Sequence, residues 1–208
     1  MKPRRSSAPE SASLLRAGQP ELTTLHASRL AEHLDAILTR ETGGTAIGQR
    51  IRAILHDTSV TNLAHRAEAL LAAADRAQHI EEVVAPALAA GRHVVSDRSV
   101  YSTLAYQGYG RGLPLDDVRH INEWAVAGHW PDLVVLLDVP LEVMMQRLKK
   151  RELDRFELED DGFHRRVRDG FSAMAAADPD RWVVIDGQQS KDAVQTAIRT
   201  AVAERLGL

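Results

Sequence analysis

Charged residues stand directly after short apolar runs at several points of the chain, and their types suit them to bind phosphates and cations. Asp97 and Arg98 end the stretch "HVVSDR", Arg40 and Glu41 follow "AILT", and Asp138 ends "LVVLLD". A carboxylate can hold a divalent cation, and a guanidinium can grip a phosphate with two parallel hydrogen bonds. A single aspartate at such a place is as easily a helix cap, but several charged groups at one sheet edge favour a polar ligand.

The elements that must position these residues alternate between strands and helices. The runs "LVVLLD" (133–138) and "WVVID" (182–186) are continuously apolar, as is typical of parallel strands covered on both faces. Helical spacing fills the segments between the strands, and a long Ala/Leu-rich helix is predicted from about residue 62 to 90. This alternation predicts a three-layer α/β/α fold with a central parallel sheet and right-handed crossovers. Ligands bind beyond the carboxyl ends of the strands in such folds, where the charged residues would converge.

Composition narrows the class of protein. The formal net charge of -3 gives no reason to expect a nucleic-acid partner, which would favour a basic chain. The absence of cysteine excludes disulfides and thiolate chemistry and fits a reducing compartment. No apolar run approaches the roughly 18 residues of a membrane span, and no apolar core follows the basic start as in a secretory signal. We therefore expect a cytoplasmic protein with no membrane partner.

A single domain is expected over most of the chain. Residues 1–20 are rich in Ser, Pro and Ala without a clear period and are predicted to be mostly disordered. Residues 21–208 are predicted to form one domain, with no internal repeat. His79, His120 and His164 show no metal-ligand spacing and are expected at surface or helix-cap positions.

Six stretches in series resemble the thymidylate kinases. They are "TRETGGTAIGQRIR" (39–52), "RAEALLAAADRAQHIEEVVAPALAAGRHVVSDR" (66–98), "STLAYQGYGRGL" (102–113), "WPDLVVLLDVP" (130–140), "RELDRFELEDDGFHRRVRDGF" (151–171) and "DPDRWVVIDG" (178–187). Together they span roughly residues 37 to 200, in the family's order and with near-correct spacing. The resemblance implies a P-loop kinase fold of the nucleoside monophosphate kinase type, usually as a homodimer. It also implies transfer of the γ-phosphoryl of ATP-Mg to dTMP.

The resemblance implies a catalytic and acceptor-phosphate role for Asp97 and Arg98. The arginine would hold the monophosphate, and the aspartate would help to place magnesium and water. Arg76, in "AADRAQH", matches the arginine that holds the thymine base and the acceptor side. Arginine suits these positions because its planar fork matches phosphate oxygens.

Further acceptor-site residues follow from the same resemblance. Tyr106 and Gln107, in "AYQG", match residues that border the nucleoside. Glu41, Gly43 and Gly44 match a loop near the acceptor, although the residue after the glutamate is threonine where the family usually has proline. All five are therefore expected to bind substrate.

A mobile lid is expected at about residues 147–165. The resemblance implies that its cations close over the phosphates, with Arg147, Lys149 and Lys150 on the donor phosphate and Arg151 and Arg155 as catalytic groups. A run such as "KKRELDR" is, however, equally typical of a solvated helix face.

The donor phosphate loop departs from the family. With no gap, Leu22 falls on its second glycine, Thr23 on its lysine and Thr24 on its Ser/Thr, and Pro20 lies inside the loop. Such a loop needs glycine conformations and backbone N–H donors, and proline removes one donor. Thr23 cannot supply the positive charge, although Thr24 can offer a hydroxyl to magnesium. No Gly-Lys motif compensates elsewhere, because the lysines are Lys2, Lys149, Lys150 and Lys191.

Two more departures lie near this loop. Ala72 stands where the family usually has an aromatic residue that stacks on thymine. Three residues, Asp35, Ala36 and Ile37, join "LAEHL" to "LTRE", which is fewer than is usual. The N-terminal quarter is therefore rebuilt, whereas the rest of the chain keeps the family pattern.

Three functions remain open. The favoured hypothesis is a thymidylate-kinase-like protein that binds a nucleoside monophosphate such as dTMP, with ATP-dependent transfer weak or lost. The second is an active kinase that uses magnesium and ATP through a non-standard donor site, on dTMP or another nucleotide-like substrate. The third is a non-catalytic dimeric interaction protein.

Overall fold

The computed structural model describes residues 9–15, 20–148 and 153–208, which form three layers around one sheet. The strands are β1 Ser11–Leu15, β2 Ile37–Arg40, β3 Val94–Asp97, β4 Leu133–Asp138 and β5 Trp182–Asp186. All pairs are parallel, in the order β2-β3-β1-β4-β5. The predicted α/β/α fold of the nucleoside monophosphate kinase type is confirmed.

Helices cover both faces of this sheet. They are α1 Pro20–Leu34, α2 Ala46–His56, α3 His65–His79, α4 Ala85–Ala89, α5 Val100–Thr103, α6 Leu115–Val126, α7 Leu141–Leu148, α8 Asp161–Ala177 and α9 Lys191–Leu206. A π-helical turn, Ile80–Val84, joins α3 to α4, and a second π-helical segment, Leu104–Gly110, continues α5. The long helix predicted from about 62 to 90 therefore begins at His65 and changes pitch before Pro86, whose nitrogen cannot donate a helical hydrogen bond.

Apolar side chains fill the space on each side of the sheet. On one face, Leu14, Val95 and Val135 pack against Leu30 of α1 and Ile198 of α9. The other face carries Leu15, Val134 and Leu136, which pack with Leu104, Phe163 and Phe171 from the helices of that layer. Burial on both faces explains why the bounds of β4 agree with its apolar run, whereas β5 lies at the edge of the sheet and leaves Val184 exposed.

The prediction that residues 1–20 are mostly disordered is wrong for 11–15. These residues form β1, the central strand, which pairs with β3 on one side and β4 on the other. The stretch "SASLL" has little apolar character of its own, so its sequence gives a weak strand signal. Backbone hydrogen bonds to two neighbours, together with the burial of Leu14 and Leu15, stabilise the strand instead.

Within the described residues, no helix combines the length and apolar character that a membrane crossing requires.

Candidate active site

The carboxyl ends of β2 and β3 bring two charged residues side by side. Arg40 is the last residue of β2 and pairs in register with Asp97, the last residue of β3. The Glu41 N–H then donates to the Asp97 carbonyl oxygen at 3.1 Å. The expected convergence of "RE" and "DR" at one sheet edge is thus observed.

Arg98 follows Asp97 in a left-handed backbone conformation, with φ of 70°. Its N–H donates to the Leu14 carbonyl oxygen at 2.9 Å, and its own carbonyl accepts from Ser96 Oγ at 2.7 Å. A non-glycine residue rarely adopts this conformation. The exceptions cluster at functional sites. The turn directs the guanidinium over the ring of Tyr106, with Cζ 5.3 Å from the ring centroid.

The Asp97 carboxylate is buried, and one of its two oxygens has a hydrogen-bond partner. Its Oδ2 accepts from Thr24 Oγ1 at 2.5 Å, while Oδ1 has no hydrogen-bond partner among the described residues. Burial raises the pKa of Asp97, and the Thr24 hydrogen bond and the positive charges of Arg98, Arg40 and Arg52 only partly oppose this. A buried, unpartnered carboxylate oxygen beside a hydroxyl is the kind of oxygen ligand that magnesium prefers, so these residues fit a magnesium ion.

A cleft with about 480 Å³ of empty space opens beside these residues. Arg52, Arg76 and Arg98 supply its positive charge, and Tyr106 and Phe156 contribute aromatic walls. The full lining is Glu41, Thr42, Arg52, Leu55, His56, Ala72, Arg76, Arg98, Ser99, Ser102, Thr103, Tyr106, Gln107 and Phe156. A mostly preformed cleft with a few convergent charged groups is typical of a small-ligand site.

Arg52 is a cleft residue that the sequence analysis missed. It lies on α2, where its Nη1 donates to the Thr42 carbonyl oxygen at 3.3 Å. Burial and then the charges of Arg98 and Arg40 lower its pKa below the usual value. Crowded like charges of this kind favour an anion between them. The available signal was its place in "GQRIR", on the helix that directly follows the Gly43-Gly44 loop.

Arg76 is buried, and its donors are engaged within the protein. Its Nε donates to Glu41 Oε2 at 2.9 Å, its Nη2 to Thr103 Oγ1 at 3.1 Å, and its Nη1 to Asn122 Oδ1. Burial raises the pKa of Glu41, but Arg76 and His79 more than offset this, so that pKa lies below its usual value. The Arg76–Glu41 pair therefore forms an ionised floor beneath the cleft.

The expected surface position is wrong for His79 and His164, because both are buried, although His79 does lie at a helix end, as the last residue of α3. His79 Nδ1 is 3.0 Å from Glu41 Oε1, and its Nε2 is 2.6 Å from Thr39 Oγ1. A polar ring is tolerated inside because these two partners satisfy both nitrogens. His120 is exposed, as expected.

The loop after Glu41 is shaped by glycines at points of close approach. Gly43 has φ of 98° and donates its N–H to Asp75 Oδ1 at 2.9 Å. A Cβ on Gly44 would stand 2.6 Å from the Arg40 carbonyl oxygen. The peptide bond between Glu41 and Thr42 is cis. Gly43 and Gly44 thus let the loop turn beside the strand ends, and their predicted contact with substrate stays a prediction.

Arg155, one of the predicted lid residues, is bonded within the protein. Arg155 donates to Glu68 Oε2 at 2.6 Å and to the Leu55 carbonyl oxygen at 2.9 Å. None of its described hydrogen bonds is with Asp97 or Arg98. Gln107 lines the cleft and also donates to Glu68, at 2.8 Å. The roles of Arg155 and Gln107 toward a ligand stay predictions.

Four other cations of the predicted lid are not among the described side chains. Lys149, Lys150 and Arg151 lie outside the described residues, as does the side chain of Arg147. The turn that follows them is anchored by Asp154, whose Oδ2 is 2.8 Å from His56 Nδ1 at the end of α2. Described contacts of Asp154 and Arg155 therefore hold part of the predicted lid over 147–165 beside the cleft.

On the donor side, residues 16–19 also lie outside the described residues, and α1 begins at Pro20. Thr23, at the position predicted for the loop lysine, is buried, with 2% exposure. Thr24, predicted to offer its hydroxyl to magnesium, lies against Asp97. The two residues predicted for the magnesium site are therefore neighbours.

Known proteins resemble this chain over most of its length. A family model described as thymidylate kinase matches residues 16–198. A thymidylate kinase of Desulfovibrio desulfuricans is 46% identical over 176 residues, or 81% of each chain. One of Neisseria gonorrhoeae is 47% identical over 175 residues, or 84% of each chain. One of a Synechococcus species is 50% identical over 173 residues, covering 83% of this chain and 82% of the relative.

Proposed function

The chain belongs to the thymidylate kinase family, and we propose that it binds a nucleoside monophosphate such as dTMP in the arginine-lined cleft. We propose further that its ATP-dependent phosphoryl transfer to this nucleotide is weak or lost. The observation that carries the proposal is the convergence of Arg52 and Arg98 on one cleft beside Asp97. The names of the relatives supply dTMP as the candidate nucleotide.

The monophosphate would bind between Arg52 and Arg98. Their guanidinium groups line the same cleft, and the charge of Arg98 already lowers the pKa of Arg52. A dianionic phosphate would relieve this repulsion and accept charge-assisted hydrogen bonds. The two arginines would therefore select a phosphorylated nucleoside over the free nucleoside.

The nucleoside would bind in the inner part of the cleft. Tyr106 and Phe156 form apolar walls there, and Ala72 leaves room where the family usually has an aromatic ring. The Arg76–Glu41 pair also lines the cleft. A base larger than thymine would also fit beside Ala72.

Asp97 and Thr24 would hold the magnesium ion that the family implies. When bound, the ion neutralises charge on the phosphate oxygens during transfer. The chain's own contribution is the unpartnered Asp97 Oδ1 and the Thr24 hydroxyl, which present oxygen ligands at the end of β3.

We expect weak or lost phosphoryl transfer because the donor side of the site lacks the usual features of the phosphate loop. The lysines of the chain are Lys2, Lys149, Lys150 and Lys191, and Thr23 occupies the predicted lysine position. Removal of one well-placed donor to a transition state costs about 3–4 kcal/mol, or roughly 100- to 1,000-fold in rate. The missing glycines and Pro20 would add to this loss, because the loop presents fewer N–H donors to the phosphates.

A second copy of the chain is the proposed partner. The helices α2, α3 and α6 pack in succession and leave large apolar side chains in solvent, among them Ile47, Leu70 and Trp124. Trp124 is 85% exposed. Clustered exposure of this kind is typical of an interface, and the family is usually homodimeric.

Calorimetric titration with dTMP, followed by a coupled assay of dTDP formation with ATP-Mg, tests the proposal. We expect dTMP to bind the wild type, Arg98→Ala to abolish binding, and Arg199→Ala on the exposed face of α9 to leave it unchanged. Turnover should lie about 100-fold or more below the roughly 10 s⁻¹ of a typical enzyme. No binding of dTMP at millimolar concentration would refute the binding proposal, and ordinary turnover would refute the loss of transfer.

A further inference from the structure

The donor side of the site lacks a cation at the position predicted for it. Thr23 is a neutral, buried residue, so it supplies no positive charge there. A nucleoside triphosphate bound beside Asp97 would bring about four negative charges with a magnesium ion that neutralises two. Positive charge for such a ligand would therefore come from other residues, in addition to the lid cations predicted for the donor phosphate.

The sheet register places Arg40 on the required side. Arg40 pairs with Asp97, and in-register residues on neighbouring parallel strands project from the same face. Val95, two residues before Asp97 on β3, packs with Ala27 and Leu30 of α1, which identifies that face as the one covered by α1. The Thr24–Asp97 hydrogen bond joins the same helix to the same strand end. Arg40 thus projects from the same face of the sheet as Asp97, which is the face that α1 covers.

The Arg40 guanidinium is also available. Its side chain is exposed, and within the described part of the chain it forms no hydrogen bond or ion pair. The other arginines near the cleft are more engaged: Arg76 is bonded to Glu41, and Arg155 to Glu68. The charge of Arg40 is nonetheless felt by both the Asp97 carboxyl and Arg52, so it lies close to the strand ends.

We infer that Arg40, together with Asp97 and Thr24, forms a binding site for the magnesium-bound polyphosphate of a nucleoside triphosphate. In this site the arginine supplies the positive charge that a loop lysine would otherwise supply. The inference deepens the proposed function and rests on it, because it places the donor next to the cleft for the monophosphate. A guanidinium suits the task since it can bridge oxygens of neighbouring phosphates with its fork of donors.

The test is calorimetric titration of the full chain with ATP-Mg, with magnesium tripolyphosphate as a base-free probe, and separately with dTMP. The variants are Arg40→Ala, Arg40→Lys and, as a matched loss of one exposed arginine, Arg199→Ala. We expect Arg40→Ala to weaken binding of ATP-Mg and of tripolyphosphate about 10- to 100-fold while dTMP binding changes less than about twofold. Arg40→Lys should restore most of the affinity, and Arg199→Ala should match the wild type.

The alternative outcomes separate the inference from the proposed function. Wild-type affinity of Arg40→Ala for ATP-Mg, or no binding of ATP-Mg by the wild type, overturns the inference and leaves dTMP binding intact. Parallel loss of ATP-Mg and dTMP binding in a folded Arg40→Ala variant also overturns it, because the arginine would then serve the monophosphate. Failure of the wild type to bind dTMP refutes the proposed function.

Discussion

Arg155 Nη2 lies 2.6 Å from Glu68 Oε2, and the Glu68 side chain is fully buried. Glu68 also accepts hydrogen bonds from Arg111 and from Gln107, so one carboxylate joins α3, the π-helical segment and the turn after residue 152. A residue that the family resemblance assigns to catalysis is here part of a buried ion network.

The network predicts a large effect of Glu68→Gln on stability. We expect the free energy of unfolding to fall by about 3 kcal/mol, because Arg111 and Arg155 lose their common counter-charge in a buried place. Urea unfolding at pH 7 measures the change. Glu32→Gln, on the exposed side of α1, should change stability by less than about 0.5 kcal/mol. Similar small effects of both substitutions would contradict the importance of the network.

The His56–Asp154 contact predicts a dependence of stability on pH. Burial would raise the pKa of Asp154, but the His56 hydrogen bond and nearby positive charges bring it down to about 2. A carboxyl whose pKa is lower in the folded state stabilises the fold above its unfolded pKa, near 3.8, and loses this effect as the pH falls toward 2.

Asp154→Asn should therefore cost about 1–2 kcal/mol of unfolding free energy at pH 7 and progressively less between pH 4 and pH 2. Chemical unfolding of wild type and variant at pH 7, 4, 3 and 2 measures the difference. A difference that stays constant over this range would mean that the charge of Asp154 does not stabilise the turn.

Ser13 offers a route to a more stable protein. Its hydroxyl is buried in the central strand with no hydrogen-bond partner among the described residues, and it lines a small pocket. We expect Ser13→Val to raise the unfolding free energy by about 1 kcal/mol and the Tm by about 2–4 °C. Ser13→Ala, which removes the hydroxyl without adding a second methyl, should gain less. Destabilisation by both would reveal a partner, such as a buried water, for the hydroxyl.

Arg52 gives a test that depends on the phosphate. We expect Arg52→Ala to weaken dTMP binding about 10- to 100-fold, because a charge-assisted hydrogen bond contributes about 1.5–3 kcal/mol. Thymidine, which lacks the phosphate, should bind wild type and variant with the same affinity in calorimetry. Equal weakening for both ligands would place Arg52 outside the phosphate site.

Trp124 tests the proposed homodimer. Light scattering coupled to size-exclusion chromatography should give twice the 22.9 kDa chain mass for the wild type and a lower average mass for Trp124→Glu. Leu208→Glu changes an exposed apolar residue just after α9, a helix that packs on α1, β4 and β5, and should leave the mass unchanged. A wild-type mass of one chain would refute the dimer.

The sequence was most informative where local pattern and burial coincide. Leu133–Asp138 and Trp182–Asp186 are strands within the bounds of their apolar runs, and in the first of them both faces are buried. β1 escaped this reasoning, since its stability depends on ladders to β3 and β4 that no local pattern encodes. Arg40 and Asp97 were predicted to lie at one edge of the sheet because the strands that they end were predicted.

The sequence did not predict which side chains of the site bond to one another. The pairing of Arg155 with Glu68 joins residues 87 positions apart, and the burial of His79 depends on Glu41 and Thr39 approaching it from another strand end. Arg52 was not predicted as a site residue, because an arginine on an amphipathic helix ordinarily faces solvent. Such contacts depend on tertiary packing, which spacing along one chain does not specify.

The central position of β1 also has a consequence for biosynthesis. β1 ends at Leu15, whereas its neighbours β3 and β4 begin at Val94 and Leu133. The ribosome therefore synthesises β1 well before either strand with which it pairs. Late, long-range pairing of this kind slows folding and exposes open strand edges to other chains. Deletion of the segment before α1 would split the sheet between β3 and β4, so a truncated product should aggregate rather than fold.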